Sequence, residues 1–397
     1  MKIGILGHGL VAWGGGIGFA ALITNALAAT GPGTDIHVFL PLGQPVKRVF
    51  PSLIAKWIAA RGTAAPHDDP GKEIVLDAFA SLKDRVTLQV IEDGHPALRA
   101  ALQSAAIDAV IPAMSPLPRS IGVPWAGYIY DFQHRYLPDF FTEEEIRRRN
   151  AAFLEMTTKA RAVVVNSKKV ESDIRKFIPD ATAKVFAMPF APFLDPNWML
   201  SEDGVAARQL APYFMICNQF WIHKDHKTAM RAFAQIAKDY PNVNLMCTGS
   251  MNDYRAPDYV SALLGEIGRL GIGRRVKLLG MVPKAKQMQL LRNSLALIQP
   301  TLFEGGPGGG AVYDAVALGV PALVSNIEVN REVDCGDVRF FEAGNPDELA
   351  QLMRDLLDGE PLRRPGRDEL FEAGKARLMR CGSVLMEALA FVRQELQ

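Results

Sequence analysis

Short apolar runs alternate with longer amphipathic stretches along most of the chain. Apolar runs occupy 3–6, 36–40, 86–91, 109–112, 125–130, 162–165 and 184–187. They are too short for helices and show little apolar–polar alternation, which predicts strands buried on both faces. Thr142 ahead of Glu143, Glu144 and Glu145 reads as a helix N-cap with carboxylates in the first turn, where they suit the helix dipole. Ser167, after Val165 and Asn166, opens another helix in the same way. The alternation pauses over 189–203, which holds Pro189, Pro192 and Pro196 and reads as a linker. It then restarts, with strands predicted at 213–217, 243–247, 276–279, 295–299 and 321–325 and helices at 225–240, 259–270 and 311–318. Such alternation builds parallel sheets with crossover helices. The pattern predicts an α/β protein of two Rossmann-like, doubly wound parallel-sheet domains facing a central cleft. The first covers 1–195 and the second 196–380. Such sheets bind ligands outside their strand C-terminal ends.

Charge and composition narrow the function classes. Of 397 residues, 44 are Lys or Arg and 43 are Asp or Glu, a net charge of +1, and 49% are hydrophobic. A chain this apolar and this neutral buries a core rather than staying disordered. It lacks the basic excess of a protein that lives on nucleic-acid backbone, so no nucleic-acid partner is expected. No uncharged apolar run is long enough to span a membrane. Residues 17–30 could pass for a secretion signal, but a strand and a glycine turn precede them, which favours strand, turn and helix. Cys217, Cys247, Cys335 and Cys381 form no C-x-x-C pair and read as small hydrophobes in a reducing compartment, which suggests a cytoplasmic protein.

Two glycine-rich loops carry the candidate chemistry. Gly7-His8-Gly9-Leu10-Val11-Ala12 fits the dinucleotide pattern G-x-G-x-x-G/A, but the second predicted strand runs out at Leu42-Gly43 without the acid that would hold a ribose. A tight turn, or a loop presenting amides to a phosphate or sugar, remains open. The second loop, Phe303-Glu304-Gly305-Gly306-Pro307-Gly308-Gly309-Gly310, lies between a predicted strand and helix. Glycines at a helix start let the backbone approach an anion, and the dipole favours it there. Glu304 at the loop mouth and Asp314 about a turn into the helix would repel a phosphate, so they suit sugar hydroxyls. Phosphate on amides and hydroxyls on acids describe a nucleotide-sugar site.

The chain resembles the retaining GT-B glycosyltransferases, in particular the family 4 group of mannosyltransferase-like and sucrose-phosphate-synthase-like enzymes. The resemblance rests on Gly14-Gly15-Gly16-Ile17-Gly18, on Val164-Val165-Asn166-Ser167-Lys168, on Asn218 through Lys227, on Leu279-Gly280-Met281-Val282, and on Phe303-Glu304-Gly305-Gly306 with Asp314 through Pro321. It implies a first-domain acceptor side and a second-domain donor side, with a C-terminal helix at about 381–397 packing back on the first domain. It implies donor contacts from Gly15, Gly16, Gln219, Met281, Val282, Gly305, Gly306, Gly308, Gly309, Gly310 and Asp314. It casts Lys224, Glu304, Asp131 and His134 as catalytic candidates. Lys224 would answer charge on the leaving diphosphate, and Asp131 and His134 would contact the sugar or orient the acceptor. Two departures stand out. Gln219 replaces the family's arginine, and the family's second acid, spaced E-x7-E, would fall on Val312, so Asp314 is its best match.

The implied activity is metal-independent transfer of a hexosyl group from GDP-mannose or a UDP-sugar to a glycan or lipid-linked acceptor, in cell-surface polysaccharide or lipopolysaccharide assembly. No cofactor is expected, and no D-x-D sequence suggests a metal bridge. His223 and His226, three apart, lack a third ligand nearby. Arg147-Arg148-Arg149, Lys168-Lys169 and the later Arg363, Arg364 and Arg367 read either as solvated helix faces or as peripheral contacts with an anionic membrane. The alternatives are a sugar-nucleotide epimerase of the same fold and a non-catalytic nucleotide-sugar binding protein.

Overall fold

The computed structural model describes residues 1–10, 14–31, 33–42, 85–195, 198, 211–360 and 362–394. Its strands are β1 (Lys2–Leu6), β2 (Asp35–Leu42), β3 (Val86–Glu92), β4 (Ala109–Ala113), β5 (Trp125–Ile129), β6 (Ala162–Val165), β7 (Lys184–Ala187), β8 (Tyr213–Cys217), β9 (Asn244–Thr248), β10 (Val276–Gly280), β11 (Leu297–Gln299), β12 (Ala322–Ser325) and β13 (Val338–Phe341). Its helices are α1 (Gly14–Thr30), α2 (His95–Ser104), α3 (Gln133–Tyr136), α4 (Glu143–Lys159), α5 (Lys168–Phe177), α6 (His226–Ile236), α7 (Tyr259–Arg269), α8 (Lys284–Asn293), α9 (Gly309–Ala317), α10 (Pro346–Asp358) and α11 (Arg367–Arg393). The chain divides into two units.

The first unit comprises Met1–Tyr130, Arg147–Pro189 and Leu378–Gln397. Its seven strands pair in the order β3-β2-β1-β4-β5-β6-β7, all parallel. The order reverses at β1 and β4, where Gly7–Leu10 leaves the sheet. Val11, Ala12 and Trp13 of the dinucleotide pattern lie outside the described residues. Helix α1 starts at Gly14, earlier than the sequence pattern suggests. Its glycines are poor helix formers, but Ile17, Ala20, Ile23, Ala26 and Leu27 are buried, and packing overrides propensity. At the end of β6, Asn166 accepts from the Tyr128 hydroxyl (2.9 Å) and donates to the Tyr130 carbonyl (3.3 Å). Ser167 caps α5 by accepting from the Val170 amide (3.1 Å). This segment of the resemblance therefore does structural work.

The second unit comprises Asp131–Ile146 and Phe190–Arg377. Its six parallel strands pair in the order β10-β9-β8-β11-β12-β13. Phe190 and Leu194 pack into its core, which puts the division upstream of 195. Residues 131–146, assigned by sequence to the first domain, belong to this unit. At the other end the division falls inside α11, at 377/378. Edge strand β13, with Arg339 among apolar neighbours, has no counterpart in the sequence prediction. Among the described residues no helix is long and apolar enough to cross a membrane.

Candidate active site

Loops leaving the C-terminal ends of β8, β9, β11 and β12 converge on one polar network in the second unit. Gln299, the last residue of β11, is fully buried. Its Nε2 donates to Glu304 Oε1 (2.9 Å) and to the Gly308 carbonyl (2.9 Å), and its Oε1 accepts from Asn218 Nδ2 (2.6 Å). One amide thus joins the loops after β8 and β11. Beneath the glycine run, Asn330 Oδ1 accepts from the Gly308 amide (2.9 Å) while its Nδ2 donates to the Ser325 carbonyl (2.9 Å). Ser325 Oγ donates to the Thr301 carbonyl (2.5 Å). A buried network satisfied in this way fixes loop geometry. Gly308 and Gly309 have φ of +66° and +63°. A Cβ on Gly308 would lie 2.4 Å from that of Val312, and one on Gly309 would lie 2.8 Å from the Glu304 carboxyl carbon. Only glycine fits under that carboxylate.

The loop after β8 brings in the cation. A single turn, Ile222–Lys224, ends at Asp225, whose φ of +46° reverses the chain into α6. Asp225 then caps α6 by accepting from the Thr228 amide (3.4 Å), and it also accepts from the Thr228 hydroxyl (2.5 Å). The Leu302 amide donates to the His223 carbonyl (2.8 Å), fastening this turn to the β11 loop. Lys224 Nζ consequently meets Glu304 Oε1, with only 11% and 10% of the two side chains exposed. Glu304 Oε2 receives no hydrogen bond from the described residues and can accept one from a ligand hydroxyl.

The other sequence candidates divide. Asp314 on α9 pairs with Lys284 of α8; burial pushes its carboxyl up and Lys284 opposes that shift. Met281 and Val282 follow β10, where Leu279 and Met281 present exposed apolar surface. Gln219 Oε1 accepts from the Ser250 amide (2.9 Å), so it ties down the β9 loop and leaves its NH2 group for a ligand. The Gly308 amide is committed to Asn330, and the Gly309 amide donates to the Gly306 carbonyl (3.2 Å). Of the glycines expected to face a phosphate, Gly308 and Gly309 thus have amides spent within the loop, and Gly310 lies in the first turn of α9. Gly305 and Gly306 follow Glu304 in the loop, and the Gly306 carbonyl closes the turn to Gly309. Asp131 Oδ1 accepts from the Gln133 amide (2.9 Å), opening α3. His134 is 1% exposed, stacked on Phe132 and edge-on to Phe141. Gly15 and Gly16 open α1 in the first unit.

Sequence reasoning missed Gln299, Asn330 and the Asp253–Arg255 pair. Polar residues ending apolar strands, Asn218 and Gln299, were a usable signal; the loop residues gave none. Asp253 accepts from the Ile222 amide (3.0 Å) and from Arg255 Nε (3.3 Å). Arg255 also donates to Gln133 Oε1 (3.1 Å) and lies over the Trp221 ring. This brace holds the Lys224 turn and anchors 131–146. His223 and His226 are core residues, 3% and 0% exposed. Burial lowers their pKa to about 2 and about 3. His226 stacks on Phe220 at 4.4 Å.

Residues 206–374 match the family described as glycosyl transferases group 1. The fold is that of the GT-B glycosyltransferases, and the second unit carries the group 1 match. Three solved glycosyltransferase-fold structures are similar over nearly the whole chain. Sucrose-phosphate synthase from Thermosynechococcus elongatus has a TM-score of 0.61 at 14% identity, covering 98% of this chain and 97% of that one. Anabaena HepE, solved with UDP-glucose, has a TM-score of 0.57 at 15% identity, covering 99% and 97%. An E. coli trehalose-6-phosphate protein bound to UDP-2-fluoro glucose has a TM-score of 0.57 at 12% identity, covering 100% of each chain. At these identities the likeness concerns the fold. No curated protein matches the sequence. The group 1 match contains Lys224, Glu304, Gln299 and the glycine run together.

Proposed function

We propose that the protein is a glycosyltransferase that moves a hexosyl group from a nucleoside-diphosphate sugar with retention and without a metal. The observation that carries the reading is the Lys224–Glu304–Gln299 cluster at the mouth of a helix-starting glycine run. Lys224 and the first-turn amides of α9 answer the charge that develops on the leaving diphosphate. Glu304 Oε2 accepts from a hydroxyl of the donor sugar. Asp314, with Lys284 beside it, takes the ribose hydroxyls, and the Leu279–Met281 surface takes the base. A retaining reaction needs no separate protein base when the leaving phosphate receives the acceptor's proton.

UDP-sugars are the first donors to try, because HepE and the E. coli trehalose-6-phosphate protein were solved with UDP-sugar ligands. GDP-mannose is the second. The acceptor is a glycan or a lipid-linked saccharide on the cytoplasmic side, with contact to anionic membrane through Arg147 and Arg148. Calorimetric titration with UDP, GDP, ADP and CMP and their sugars tests the reading. One nucleoside diphosphate binding well above the others, with its sugar turned over only when acceptor is present, is the expected result. Turnover without acceptor to an altered sugar would make the protein an epimerase, and binding without any turnover would make it a sensor.

A further inference from the structure

Helix α8 ends at Asn293, and β11 follows it, so its C-terminus lies toward the N-terminal edge of that strand, away from the loops that form the active site. A cavity of about 290 Å³ opens there, lined by Arg292, Asn293, Leu318, Arg364 and Pro365. No carboxylate lines it. Arg364 is spent in part: its Nη1 donates to the Arg292 carbonyl (2.5 Å) and its Nη2 to the Ser294 carbonyl. Those bonds cover carbonyls that α8 leaves unsatisfied, and they offset the negative end of its dipole. Arg292 is different. Its Nη1 is buried without a hydrogen-bond partner among the described residues. Native proteins rarely leave a buried guanidinium N–H unmet, and each such group calls for an explanation.

Charge points the same way. Burial pushes both guanidinium pKa values down, and proximity to Arg292 adds to the shift at Arg364. Two cations therefore share a small concave space with no anion among the described residues. A forked guanidinium matches the oxygens of a phosphate group, and a second one across the cavity supplies the other half of a clamp. The volume is at the low end of ligand pockets, which fits a small anion rather than a nucleotide. A neighbouring cavity of about 260 Å³ shares Arg364 and Pro365 and offers Asp337 and Glu369 to hydroxyls.

We propose that this cavity is a second, phosphate-binding site, taking inorganic phosphate or the phosphate of a small hydroxylated monoester between Arg292 and Arg364. The test is a titration of the full chain with inorganic phosphate and, separately, with a hexose monophosphate, followed by calorimetry and thermal melting. Lys224→Ala serves as the background, so that phosphate binding at the donor site is weakened. Saturable binding that persists in Lys224→Ala and weakens at least tenfold when Arg292→Ala is added is the expected result. A monoester that binds more tightly than inorganic phosphate identifies the monoester as occupant; equal affinities identify free phosphate. Nucleoside-diphosphate affinity measured in Arg292→Ala alone checks that the unit remains folded. Absence of binding up to about 10 mM, or affinity unaffected by Arg292→Ala in a folded protein, overturns the proposal.

Discussion

Lys224 is held by one carboxylate, and that carboxylate is held by one amide. Glu304 Oε1 accepts from both Lys224 and Gln299, and neither ion is more than 11% exposed. Removing one member of a buried pair leaves the other charge uncompensated, so Lys224→Ala has two separable costs. One is stability, through the stranded Glu304. The other is chemistry, through loss of a cation aimed at the leaving group, on the order of 10²–10³ in kcat/KM. Adding Glu304→Gln to Lys224→Ala removes the stranded charge, so the double variant should recover melting temperature but not turnover. Steady-state kinetics and thermal melting on the same samples read the two costs. A Lys224→Ala enzyme with wild-type kcat/KM would take Lys224 out of the reaction, whatever its melting temperature.

At the level of the element, α6 makes stability depend on pH. His226 begins the helix inside the core, stacked on Phe220 with the Tyr259 ring edge-on, and Lys224 adds to its depressed pKa. In the folded chain it stays neutral down to about 3, whereas unfolded it takes a proton near 6.5. Between those values the unfolded state binds more protons, so stability is complete above 6.5 and falls as pH drops below it. The slope is about 1.4 kcal/mol per pH unit for each such histidine, and His223 contributes in the same sense. Guanidinium denaturation from about pH 7.5 to about pH 5 should show this loss, and a shallower one in His226→Phe. Identical slopes in the two proteins would remove His226 as the source. Most strands were legible because buried parallel strands are unbroken apolar runs: β6, β7 and β8 coincide with the predicted ranges. Strand β13 was not, because Arg339 interrupts four residues at a sheet edge. The loops of the site were legible as glycine and acid, since backbone approach demands glycine. The partners beneath them were not, because Gln299 and Asn330 act through contacts made only once distant loops meet.

On the scale of the whole molecule, the chain passes between its two units at 130/131, 146/147, 189/190 and 377/378, yet each unit keeps its own sheet and core. A packing fault in one should therefore leave binding in the other intact. The contact between α1 and α11 in the first unit is the place to test this. A Cβ on Gly382 of α11 would fall 1.8 Å from Thr30 Oγ1 and 2.2 Å from the Ala26 carbonyl oxygen, both on α1. The side chain could turn away, but the carbonyl belongs to a helix backbone and cannot. Alanine normally favours a helix interior over glycine by about 1 kcal/mol. Here the overlap outweighs that gain, because relieving it means parting two packed helices, at a cost of about 1–3 kcal/mol or more. Gly382→Ala should thus destabilise the protein, the reverse of the usual sign. Hydrogen exchange should quicken in α1 and in the 378–393 part of α11. Nucleoside-diphosphate affinity should stay at the wild-type value, because every side chain of the Lys224–Glu304 cluster lies in the second unit. An affinity that falls together with protection in α1 would show that the two units unfold as one.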